Sequence, residues 1–185
     1  MVSASISRSS SATTRSGRII IDIAAGVAST NARTDGVISE LSKYPGIEVL
    51  DVQYDNLDPT RDAQIVDATL AAHPDLTAIV PVYNQAATGA ITALKANGRL
   101  ADIPVITFDA DPGIVQALRD GEVAAVVNQT PFEQARVAVE NAIKAVRGEA
   151  IDETLVRMPM PVITQANVDD PEIVKDFYVD QLCNP

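Results

Sequence analysis

The sequence predicts an α/β fold: a doubly wound parallel sheet of about five strands with helices on both faces. Three observations carry this. Short β-branched apolar runs alternate with amphipathic segments from Arg18 onward. Asp-Pro pairs stand where helices should begin, at Asp58-Pro59 and Asp111-Pro112. Glycines stand where they should end, at Gly98, Gly121 and Gly148. For five such units the usual strand order is 2-1-3-4-5.

Each element follows from its local pattern. "RIIIDIAA" from Arg18 reads as a buried strand. Ser29, Thr30 and Asn31 offer caps for a helix running to about Lys43, with Val37, Ile38 and Leu41 on one face. "IEVLDVQYD" alternates as a second strand after the "YPG" stop. Behind Asp58-Pro59 comes a helix packing through Ile65, Val66, Thr69 and Leu70. "LTAIVPVY" is the third strand and "QAATGAITALKANG" its helix; "IPVITFDA" is the fourth strand and "DPGIVQALRDG" its helix. "VAAVVNQ" is the fifth strand, followed by the longer helix "PFEQARVAVENAIKAVRGE". Beyond Gly148 the periodicity weakens, through the proline-broken "TLVRMPMPVITQAN" to a short last helix in "DDPEIVKDFYVDQL".

Three regions result: a Ser/Thr-rich disordered leader over 1–15, an α/β lobe with its trailing helix over 16–150, and a hinge-like extended segment and tail over 151–185. The leader lacks the apolar core of a secretory signal. With 46% hydrophobic residues in 185, the chain can bury a substantial core, yet no apolar run nears the roughly 18 residues that span a bilayer.

A net charge of -11 speaks against a nucleic-acid partner. The single cysteine, Cys183, excludes an intrachain disulfide, and on a terminal tail it reads as inert. The only histidine, His73, falls at a His-Pro-Asp turn, which suits a helix C-terminus better than a metal site.

In open α/β sheets ligands bind beyond the carboxyl ends of the strands. Four polar residues fall there: Arg33 after the first strand, Asn84 after the third, Asp109 after the fourth and Gln129 after the fifth. A guanidinium, two amides and a carboxylate donate and accept in pairs, which suits neighbouring hydroxyls on a neutral polyhydroxylated ligand. Each also has a plainer reading. Asn84 could simply cap its helix, Arg33 could be a solvated first-turn residue, and Gln129 a bare strand end. Asp109 could cap the helix that begins at Pro112, but Asp111 is better placed to do so, which leaves Asp109 without an evident structural task.

Other chemistries fit poorly. "AAGVASTN" after the first strand has no GxGxxG or P-loop spacing. His73 lies at the opposite edge of the sheet from the expected cleft, which excludes a Ser-His-Asp arrangement. Asn84 and Gln129 stand where a receiver domain would need an aspartate and a lysine. No enzyme activity and no cofactor are expected.

Taken together, "STNARTDGV", "HPDLTAIVPVYNQAATGAITALKANG", "PVITFDADPGIVQALRDGEVAAVVNQTPFEQARVAVENAIKAVRGE" and "MPVITQANV" resemble the second half of type I periplasmic sugar-binding proteins, the ribose-binding group. The same fold serves as the effector domain of lactose-repressor-type regulators. The resemblance covers residues 16–169 and implies the carboxy-terminal lobe of a two-lobed, non-catalytic solute-binding protein of a sugar ABC importer. It places sugar contacts on Arg33, Asn84, Asp109 and Gln129, the positions that the strand-end rule selects.

The resemblance further implies a pentose, hexose or polyol ligand, a transporter permease as partner, and a site of action in the periplasm or otherwise outside the cytoplasmic membrane. Without a signal segment, the chain as it stands is expected to remain cytoplasmic. The alternatives are a fragment of a lactose-repressor-type regulator, or an oligomerising remnant that binds no sugar. Three departures stand out: the leader occupies the place of an amino-terminal lobe, Gln85 replaces the usual aspartate, and Leu57 replaces a stacking aromatic. The helix from Pro131 to Arg147 is therefore expected to fold back on its own lobe or to be covered by a second copy, and the expected protein partners are a second copy or a separate amino-terminal lobe.

Overall fold

The computed structural model describes residues 17–23, 26–151, 155–174 and 177. The expected leader, Cys183 and half of the expected last helix lie outside the described residues. Among the described residues seven strands and six helices follow in chain order: β1 (Gly17–Ile23), α1 (Ala28–Leu41), β2 (Ile47–Val49), β3 (Gln53–Tyr54), α2 (Pro59–Ala72), β4 (Ala78–Pro81), α3 (Asn84–Ala96), β5 (Ile106–Phe108), α4 (Pro112–Arg119), β6 (Ala125–Val127), α5 (Pro131–Val146), β7 (Val162–Ile163) and α6 (Pro171–Val174).

The sheet register settles the order. Ile19 pairs with both Val49 and Ala78, and Asp22 with both Gln53 and Pro81. Hence β2 and β3 run along one side of β1 as a single interrupted strand, and β4 runs along the other. β4 meets β5 through the Ile79–Val105 bridge and the Ile79 N–H on the Pro104 carbonyl at 3.1 Å. β5 pairs in parallel with β6. Counting β2 and β3 as one, the expected order 2-1-3-4-5 is present. One correction applies: β7 adds to β6 antiparallel, so the sheet is mixed. Val162 and Ile163 reach that edge because the chain returns after α5 and offers two β-branched residues to the free side of β6.

Helix starts follow the Asp-Pro logic. Asp58 accepts from Thr60 N–H at 2.9 Å and Asp111 from Ile114 N–H at 2.8 Å, each with proline in the first helical turn. The expectation for α1 needs correcting. Its N-cap is Val27, without a side-chain bond, and Ser29, Thr30 and Asn31 lie inside the helix. Thr30 Oγ1 instead donates back to the Val27 carbonyl at 3.0 Å. At the end of α3, Gly98 takes φ 64°, and the Arg99 and Gly98 N–H groups donate to Leu94 and Lys95 carbonyls. His73 is the C-cap residue of α2, in the turn role expected for it.

The main core lies between the sheet and α2, α3 and α4, around Ile79, Leu94, Val105, Leu118 and Val126. α3 is its axis. Ala86, Ala87, Gly89, Ala90 and Ala93 are all buried, and these small side chains let neighbouring elements approach closely. A smaller cluster of Val80, Val82, Tyr83 and Ala86 packs with Val37, Leu41 and Phe108, on the side of α1.

α5 behaves otherwise. None of its residues is buried, and Phe132, Val139, Ile143 and Val146 are exposed by 64%, 59%, 45% and 89%. Of the alternatives expected for it, folding back is not seen among the described residues, since its apolar stripe stays exposed.

Leu94→Ala removes a fully buried side chain from the α3 axis. It should lower unfolding free energy by about 2–5 kcal/mol, read as an earlier midpoint in urea denaturation.

Candidate functional site

Parallel strands that point one way deliver their following residues to one edge, and the site is built there. Arg33 lies in the second turn of α1. Its Nη1 donates to Asp109 Oδ2 at 2.7 Å and to the Val82 carbonyl at 2.7 Å, while Nη2 donates to Asp109 Oδ1 at 3.1 Å. The guanidinium carbon stands 4.8 Å from the centre of the Phe108 ring, a cation–π contact. Both charged side chains are largely withdrawn from water, 12% exposed for Arg33 and 17% for Asp109. A guanidinium fork matches a carboxylate in this bidentate way better than an ammonium could.

Gln129, two residues past β6, donates Nε2–H to Asp109 Oδ1 at 2.6 Å. Asp109 thus accepts three hydrogen bonds from two side chains and is the hub of the cluster.

Its backbone explains how it gets there. Asp109 adopts φ 68°, in the left-handed region that aspartate tolerates better than most non-glycine residues. Two bonds hold the turn: Asp109 N–H donates to the Val127 carbonyl at 3.1 Å, and Ala110 N–H donates to Asn128 Oδ1 at 2.9 Å. Asn128 is fully buried. It is not among the residues singled out from the sequence. The one signal available was an amide at the end of an otherwise apolar strand, where burial demands a partner.

Of the two readings of Asn84, the plain helix cap is not what forms. The N-cap of α3 is Tyr83, and Asn84 is the first helical residue. Its Nδ2 donates to Asp111 Oδ2 at 2.5 Å. The structure therefore joins Arg33, Asp109 and Gln129 directly. It sets Asn84 beside them through Asp111, two residues along from the hub.

A groove of about 620 Å³ opens beside this cluster, lined by Arg33, Gln129, Val37, Phe108 and Met160 among others, with Asp109 and Asn84 outside its lining. A second groove of the same volume follows α2 from Asp58 to His73 and contains none of the four residues. Among the described residues no group of histidine, cysteine and carboxylates could hold a metal ion, and no helix is long and apolar enough to cross a membrane.

Residues 12–150 match the model of a periplasmic binding protein domain. The chain belongs to that family. It is 32% identical over 127 residues to the ribose import binding protein RbsB of Salmonella typhimurium, across 69% of this chain and 42% of that protein. It is 29% identical over 150 residues to the D-ribose/D-allose-binding protein of Pseudomonas aeruginosa, across 78% of this chain and 47% of that protein. The chain thus spans less than half the length of these relatives.

Among solved structures, an ABC transporter solute binding protein from Agrobacterium vitis bound with alpha-D-tagatopyranose superposes with a TM-score of 0.84 at 28% identity, over 90% of this chain and 56% of that one. A carbohydrate transporter solute binding protein from Agrobacterium radiobacter in complex with D-arabinose gives 0.80 at 26%, over 87% and 55%. The α/β periplasmic-binding-protein fold is the fold of this chain.

Asn128→Ala strands the buried Ala110 N–H and loosens the turn that carries Asp109. Stability should fall by about 1–3 kcal/mol, measured by chemical denaturation against the wild-type chain.

Proposed function

We propose that the chain is the carboxy-terminal lobe of a non-catalytic sugar-binding protein serving an ABC importer. Its ligand is a pentose, hexose or polyol, held by Arg33, Asn84, Asp109 and Gln129. The observation that carries this reading is the Asp109 carboxylate, held by Arg33 and Gln129 at the carboxyl edge of the sheet. Acceptor and donors are already in place, so little side-chain freedom is lost when a ligand arrives. Adjacent hydroxyls each donate to a carboxylate or amide oxygen and accept from an N–H, and this cluster presents both. The ribose-binding relatives and the tagatose- and arabinose-bound neighbours support the ligand class.

By the same kinship the protein works in the periplasm beside a membrane permease. The other face of the sugar belongs to a second lobe, and the apolar stripe of α5 is the surface on which that lobe, or a second copy of this chain, seats. A single lobe leaves the ligand half in water, so its affinity is weaker than that of a closed two-lobed site.

Isothermal titration with ribose, galactose, xylose and inositol should give heat with at least one sugar. Asp109→Ala should weaken that binding about tenfold or more, a change of about 1.4 kcal/mol. Heat from none of the four would overturn the sugar-binding reading. Size-exclusion chromatography with light scattering should show the isolated chain as a dimer through α5; a monomer removes self-association and leaves the second lobe.

A further inference from the structure

Residues 55–58 connect β3 to α2 at the edge that carries the site. Asp55 is wholly buried and Tyr83 is 4% exposed. The Tyr83 hydroxyl donates to Asp55 Oδ2. The other carboxylate oxygen, Oδ1, accepts from Leu57 N–H at 3.2 Å. The two residues between Asp55 and the cap Asp58 are both left-handed, Asn56 at φ 60° and Leu57 at φ 63°.

Left-handed backbone is ordinary for asparagine and strained for leucine. Strain of this kind persists where the surroundings over-determine the conformation. Here one carboxylate does so, with one oxygen on the loop's own backbone and the other on a tyrosine from a different strand end. Leu57 is left 57% exposed at the rim, a placement that contributes nothing to the core.

The tyrosine is well placed to pass this constraint on. Tyr83 is the N-cap residue of α3 and immediately precedes Asn84. Its carbonyl accepts from Thr107 Oγ1 at 3.2 Å, which ties it to β5 as well. The preceding residue, Val82, gives its carbonyl to Arg33. The pair thus joins the end of β3 to the end of β4 across β1, and the segment it anchors contacts both halves of the polar cluster.

We infer that Asp55 and Tyr83 are a positioning pair for the ligand-binding edge. Their buried hydrogen bond fixes Leu57 as an apolar lip and sets the start of α3 so that Asn84 meets Asp111. This rests on the sugar-binding reading and adds to it two residues that touch no ligand themselves.

The test uses Tyr83→Phe, which removes one hydroxyl, in the full chain. Hydrogen exchange of the Leu57 amide and the Asn84 side-chain NMR resonances report the pair without any sugar; calorimetry with the same four sugars reports its effect on binding. Leu57 exchange should quicken, the Asn84 resonances should move, and sugar affinity should fall about tenfold, the scale of one lost hydrogen bond. Asp55→Asn keeps a hydrogen-bonding group opposite the tyrosine and should retain affinity within about threefold of wild type, whereas Asp55→Ala should not.

Unchanged affinity in Tyr83→Phe, or unchanged Leu57 exchange and Asn84 resonances, overturns the pair. If Tyr83→Phe does not fold, equal affinity in Asp55→Ala and Asp55→Asn overturns it instead. If the wild type takes up no sugar, the binding reading fails by itself, and the exchange and resonance measurements still decide whether the pair positions Asn84.

Discussion

The rest of the site depends on one ion pair. Arg33 reaches from α1 to grip Asp109 with two nitrogens, and one of them also holds the Val82 carbonyl. One guanidinium therefore links α1 to the ends of two strands. A charge pair this far out of water is favourable only when its geometry is good and its other hydrogen-bonding groups are satisfied. Here Gln129 takes part of the remaining acceptor capacity and Phe108 covers a face of the guanidinium. Removing either charge would leave the other poorly solvated, so the cluster behaves as a unit.

That unit can form because the fold places its members without further help. Every strand from β1 to β6 runs the same way, so α1, α3, α4 and α5 all begin at one edge. The small residues of α3 keep that helix tight against the sheet, which fixes the height at which Asn84 emerges. Asp109 then needs its left-handed turn to bring the carboxylate between Arg33 and Gln129, and Asn128 holds that turn from within the core. α5 takes no part in this packing. Its exposed stripe of Phe132, Val139, Ile143 and Val146 is the feature of the lobe that its own core leaves unexplained.

Much of this was legible in the sequence. The period-2 and period-3.6 patterns, the Asp-Pro starts and the glycine stops located the helices and the five parallel strands, because each is a local signal. Arg33, Asp109 and Gln129 were legible as candidates from their positions after strands. The antiparallel β7 was not, since two residues among prolines carry no strand signal until β6 offers them a free edge. The α1 caps were misplaced because Ser29, Thr30 and Asn31 all satisfy the same local preference and only the backbone path selects Val27. Asn84 was legible in the same way as Arg33, Asp109 and Gln129, with its backbone expected to start the helix and its side chain to face the shared cleft. It does begin α3, but its amide turns to Asp111, a partner 27 residues away.

The sequence by itself determined the class of fold and the edge at which polar residues would gather, while the strand order was left to the sheet register. The sequence could do so because the first two follow from local periodicity and from the handedness of the connections. Only the tertiary structure decided which polar groups meet. Arg33 and Asp109 are 76 residues apart, Tyr83 and Asp55 28, and Gln129 and Asp109 20. No local pattern encodes a hydrogen bond across such separations. It forms only when packing has brought the two side chains within reach in the right orientation and has removed the water that would otherwise compete.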